Sequence, residues 1–173
     1  MATTHWATDG TLGVDLETTQ SSADAATYGH KHALGQVVYG NNGSKWMYTY
    51  ASAALTIYNT VAVEASGTNS PLSVTNARLG NTIGIAQVAF SAGDYGWVAL
   101  EGHSLRVATT AAVAVGAVLF TAASTPGRVD DAAVSTQAQI SGLRLIATAS
   151  GTTASSAACV ARNLVVVDTA FII

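Results

Sequence analysis

From Leu34 onward the chain is written in short apolar runs rich in Val, Ile, Tyr and Trp, broken at intervals of roughly 8 to 12 residues by Gly, Asn, Ser or Pro. That texture predicts strands and tight turns, hence an all-β fold: a compact antiparallel β-barrel or sandwich. The clearest unit is the apolar stretch 34–40, then Asn41-Asn42-Gly43-Ser44, then Lys45-Trp46-Met47-Tyr48-Thr49-Tyr50. An Asn-Gly pair between apolar stretches predicts a hairpin, because a type I′ turn needs positive φ at both central residues. Trp46, Tyr48 and Tyr50 alternate with Lys45, Met47 and Thr49, the period of a half-buried strand. A second hairpin is expected over 83–102 around Ser91-Ala92-Gly93-Asp94. A third joins 116–121 to Arg128-Val129-Asp130 through Pro126-Gly127, a standard turn pair. The last strands are expected at 142–149 and 157–167.

Residues 1–33 are a different material, dominated by Thr, Ala, Ser, Asp and Gly, with strong apolar residues only singly at Trp6, Leu12, Val14 and Leu16. Such a stretch has little core to offer, so it is expected to be an extended arm ordered by what it touches, ahead of a β domain at 34–173. Within that domain a weak pseudo-repeat can be traced, dividing it into halves of about 34–90 and 91–150. Val61-Ala62-Val63 matches Ala117-Val118-Leu119, and Gly84-Ile85-Ala86 matches Gly142-Leu143-Arg144, at spacings of 56 and 58 residues. Chance similarity among Ala, Val and Gly would give the same match.

Composition narrows the chemistry. Only 10% of residues are charged, against roughly 25% in an average soluble protein, so an active site built from clustered ionisable groups has thin raw material. Seven basic residues that never cluster and a net charge of −3 argue against nucleic acid as a partner. The amino terminus lacks the basic and apolar regions of a secretory signal, and the runs 111–123 and 163–173 are shorter than the roughly 18 residues of a membrane span, so no membrane association is expected and folding in a reducing cytoplasm is. Cys159 is the only cysteine and is read as a buried apolar side chain.

His5, His30 and His32 could offer imidazoles to a metal, but no Cys or close carboxylate completes a set. His103 beside Glu101 has no nucleophile motif with it, and Asp130-Asp131 lacks the spaced acidic loop of a calcium site. No phosphate-cradling glycine motif opens a helix, and no cofactor is expected. Trp46, Tyr48, Tyr50 and Trp97 could stack on a sugar, which gives a carbohydrate-binding module as one alternative. An apolar tail, Ala170-Phe171-Ile172-Ile173, is expected to pack into its own fold or a neighbour.

The stretch Val61 to Ala149 resembles the capsid decoration, or cement, proteins of tailed bacteriophages. The resemblance lies in Tyr58-Asn59-Thr60-Val61-Ala62-Val63; in Gly84 to Ala89 followed by Ala92-Gly93-Asp94-Tyr95-Gly96-Trp97-Val98; and in Val115 to Phe120 followed by Pro126-Gly127-Arg128-Val129. It implies a non-enzymatic virion protein, made in the host cytoplasm and placed on the capsid exterior, that stabilises the shell, with the major capsid protein and neighbouring copies of itself as partners. Partner contact is expected from Trp6, Leu12, Val14 and Leu16 in the arm and from Phe171, Ile172 and Ile173 in the tail. A fibre, tail or connector subunit would suit the same texture.

Overall fold

The computed structural model describes residues 14–78, 81–110, 112–132, 136–149 and 155–167. Its first elements lie in the expected arm: a two-residue strand β1 (Thr19–Gln20) and a short helix α1 (Ser22–Tyr28). The Ser21 hydroxyl caps the helix by accepting from Asp24 N at 3.0 Å, and Gly29, at φ +79°, closes it by donating its N–H to Ala25 O at 2.9 Å. Only Ala25 of this helix is buried.

The Asn-Gly segment does connect two antiparallel strands, β2 (Val37–Tyr39) and β3 (Lys45–Ala51), with Val38 opposite Trp46. Its turn differs from the expected type I′. Of its two central residues only Gly43 has positive φ, and the Asn42 side-chain oxygen accepts from Ser44 N at 3.1 Å, replacing backbone strain at Asn42 with a local side-chain bond. The chain continues through β4 (Thr60–Val63), β5 (Thr68–Pro71), β6 (Thr82–Ala86), β7 (Tyr95–Thr109), β8 (Leu119–Thr121), β9 (Val129–Asp130), β10 (Gln139–Leu145) and β11 (Ser155–Val167). The Gly-Asp and Pro-Gly turns link antiparallel β6 to β7 and β8 to β9, as expected.

The fold is all-β and sandwich-like, built from one mixed sheet. Two expectations are corrected. The sheet is not wholly antiparallel, since β3 pairs with β5 and β7 with β9 in parallel, and it does not close into one barrel, since β7 is shared, pairing with β3 and β6 in its first half and with β9 and β11 in its second. Strand β7 is its hub: residues 95–101 pair with β3, and residues 102–109 with β11.

The pairings fall into two sets with one order. β4 pairs antiparallel with β5 and β6, and β8 does so with β9 and β10. β3 pairs in parallel with β5 and antiparallel with β7; the second half of β7 pairs in parallel with β9 and antiparallel with β11. Lone bridges join Leu55 to Phe90 in one set and Val113 to Ala149 in the other. Tight turns holding Tyr58 (φ +70°) and Gly116 (φ +77°) precede β4 and β8, closed by Asn59 N to Thr56 O and Ala117 N to Ala114 O.

Two apolar clusters explain the unbroken runs in the sequence. The larger holds Leu16, Trp46, Ile85, Trp97, Leu105, Leu119, Leu145 and Cys159; the smaller holds Leu55, Val61, Val63, Phe90 and Val98. Within β4, Ala62 faces the first cluster while Val61 and Val63 face the second, so the strand is covered on both faces and shows no polar alternation.

Candidate functional site

Residues 14–33 lie over the β3–β7 seam. Thr19 pairs with Gly96 and Gln20 with Tyr95. The buried Gln20 amide works in three directions: its oxygen accepts from the Tyr48 hydroxyl at 3.0 Å and from Lys31 N at 3.1 Å, and its nitrogen donates to Gly29 O at 2.8 Å. The His32 ring sits between Tyr48 and Trp97, centroids 5.1 and 5.0 Å away, and His30 lies 4.6 Å from the Tyr95 ring. A small cleft of about 210 Å³ opens here beside Asp15, Lys31 and His32.

Burial, aided by the Lys31 charge, lowers the His32 pKa below 6.5. The neutral ring is therefore the form that fits. Between the lowered native value and 6.5 the unfolded chain binds more protons, so stability from this ring is complete above 6.5 and is lost as pH falls through the native value. The thermal midpoint of the wild type should consequently fall more between pH 7.5 and pH 5 than that of His32→Phe, measured side by side by circular dichroism; equal falls would refute the assignment.

A second feature lies on the other half of the sheet. A groove of about 610 Å³ runs between Val115, Arg144 and Ile146 on one side and Val160 and Arg162 on the other. Around it the surface is unusually apolar: Val115, Val118, Ile146 and Val165 are 49, 53, 54 and 48% exposed. At its end Arg162 Nη2 lies 3.0 Å from His103 Nε2, where the guanidinium donates and the imidazole accepts.

The residues expected to meet a partner separate into two groups. Trp6, Leu12, Phe171, Ile172 and Ile173 lie outside the described residues. Val14 is half-buried against the main core, and Leu16 is fully buried within it, so in the single chain Leu16 is committed to the fold. Trp46, Tyr48 and Trp97 are likewise buried, with at most 2% exposure, and present no ring face on which a sugar could stack; Tyr50 alone of the four is half-buried. The Trp46 indole instead donates to Ser44 Oγ at 2.6 Å.

Among the described residues no three His, Cys, Asp or Glu side chains stand close enough to hold a metal. Glu101 faces Lys45 at 3.8 Å across β3 and β7, and Asp130 accepts from Ala132 N at 3.2 Å, a loop-stabilising bond. Burial pushes the Cys159 thiol up to about 12 against a smaller opposing pull from Arg106, so it is held as an inert core side chain. Tyr48 is pushed up to about 12 by burial and by neighbouring Tyr95, which keeps its hydroxyl a donor to Gln20. No helix among the described residues is long and apolar enough to cross a membrane.

Sequence reasoning missed Ile146 and Val165 as surface residues. Both sit in runs, Leu143 to Ala147 and Leu164 to Val167, where no regular polar alternation tells inward from outward positions. No protein-family model matches the sequence, and no curated protein matches it significantly.

Proposed function

We propose that this chain is a virion structural protein of a tailed bacteriophage, a decoration protein that binds the outside of the head and stabilises its shell, with the major capsid protein and copies of itself as partners. The observation that carries this reading is the exposed apolar surface of Val115 and Val118, ahead of β8, and Ile146, just past the end of β10, with Arg144 and Arg162 as the charged residues lining the groove beside it. Such a surface suits a broad contact in which buried area matters more than ion pairs. The segments that resemble decoration proteins fall on β4, on β6 with the first half of β7, and on β8 with β9, which is consistent with a rigid frame for that surface. Repetition over a lattice raises the strength of a modest contact.

The shared pairing order of the two sets of strands supports an internal repeat whose units meet within β7, the second reaching through β11 rather than ending near 150, with each unit a small barrel-like turn of sheet. Trp6, Leu12 and Phe171 to Ile173 keep their place in this proposal as contacts to the shell. Purified full-length protein added to undecorated heads should bind in a symmetric pattern visible by electron microscopy. Removing residues 1–12 or making Ile146→Lys should weaken that binding about tenfold, roughly 1.4 kcal/mol, without changing the melting transition. Failure to decorate heads, or binding only at the tail or connector, would overturn the proposal.

A further inference from the structure

Among the described residues, strand β11 has an edge without a partner, of a kind that is filled elsewhere in the sheet. Ala99 of β7 is opposed by Trp46 of β3 on one flank and by Ile85 of β6 on the other. Farther along, Arg106 of β7 is paired with Ala158 of β11, and its backbone N–H and C=O bond the Gln87 side chain at 3.1 and 2.9 Å. Strand β7 is thus covered along its length, by β3 and β6 in its first half and by β11 in its second. Strand β11 is built similarly but is left half covered. Cys159 and Ala161 are paired on both flanks, with β7 and β10, whereas beyond Ala161 the only described partner is β10, at Ser141↔Val165, Ile140↔Val166 and Gln139↔Val167.

Past the bulge at Asn163, the open stretch carries no Pro, Lys or other charged residue through Val167. Sheet edges usually avoid pairing through Pro, Lys, inward charges or shortness; β2, at the other end of the sheet, spans only Val37–Tyr39, but residues 163–167 read Asn-Leu-Val-Val-Val. Asn163, at φ +48°, sits in the register shift opposite Ser141 and Leu143, so the regular run starts there and has Val165 at its midpoint.

We propose that this edge pairs antiparallel with the same edge of a second copy, about a two-fold axis through Val165. A two-fold normal to a sheet sets one residue opposite itself. With Val165 on the axis, Leu164 meets Val166 and Asn163 meets Val167. Leu164 and Val166 are buried on the core side, so the two cores run on into one another, while the 48% exposed Val165 meets its own counterpart on the outer face. No like charges oppose, since Arg162 falls outside the run. Self-complementarity in this one register favours a second copy over a foreign strand. The contact goes beyond shell binding, because free chains make it too.

Sedimentation velocity of the full chain should show a concentration-dependent dimer. Val165→Lys, which sets two ammonium groups face to face, should raise the dissociation constant about 10- to 100-fold with an unchanged circular dichroism spectrum. Independently, Val165→Cys should crosslink to itself under mild oxidation, because opposed side chains on neighbouring strands lie near disulfide reach, whereas Ile146→Cys should not. A monomer at every concentration with no Val165→Cys crosslink would overturn the proposal. So would a dimer that ignores Val165→Lys, or amide protection at 163–167 seen only on heads. Dimers that fail to decorate heads would sink the shell reading and leave this one standing.

Discussion

Replacing Gly142 by alanine should destabilise the protein by about 2 to 5 kcal/mol, the sum of left-handed backbone strain and overpacking. Gly142 has φ +83°, and a Cβ there would fall on the Arg162 carbonyl oxygen and within 2.8 Å of the Asn163 carbonyl oxygen. Both obstacles are backbone, so no side-chain rotation relieves them. Gly116→Ala is the matched control: its φ is +77°, yet the nearest atom to a new Cβ is the mobile Arg144 guanidinium at 3.7 Å. Only the strain of about 1 to 2 kcal/mol should be lost there. Urea unfolding with a common slope would measure both, and equal losses would show that the close approach of β10 to β11 at the register shift carries no energy.

The same bulge shows what the sequence could convey. Gly-Asp and Pro-Gly turns announce themselves because one backbone conformation demands those residues, and the strands on either side follow. Gly142 was visible only as the start of a strand; its role depends on a carbonyl from a segment some twenty residues downstream, which local pattern does not encode. Strand β7 was expected to end near Gly102, since Glu101, His103 and Ser104 look like a polar break. Instead it changes partner at Gly102, from β3 to β11, and runs on to Thr109. Strand β5 went unseen because Thr68-Asn69-Ser70-Pro71 is polar; its buried Asn69 donates to Thr49 Oγ1 at 2.6 Å, so a polar pair occupies a core position. Helix α1 was missed for want of an apolar stripe, as one buried alanine is all it contributes. Of the candidate contacts, the apolar groove at Ile146 was hidden by the lack of alternation, and the arm residues were chosen because isolated apolar side chains in polar sequence look unemployed.

Leu16 is employed, and Leu16→Ala should cost about 2 to 5 kcal/mol, the range for a fully buried leucine whose cavity closes only in part. Its loss would also loosen its surroundings: Leu16 shares the main cluster with Tyr48 and Trp97, and the Gln20 amide next along the segment ties Tyr48, Lys31 and Gly29 together. Tryptophan fluorescence and denaturant midpoint should therefore shift together. A loss below about 1 kcal/mol with unaltered fluorescence would mean that residues 14–20 merely rest on the β3–β7 seam. The distinction bears directly on function. If Leu16 is part of the core, cutting the chain at residue 20 removes a strand pairing, a core side chain and the Gln20 network along with any shell contact, and weak decoration would then report unfolding. Cutting before Val14 leaves all three in place, so only that truncation can assign binding to Trp6 and Leu12.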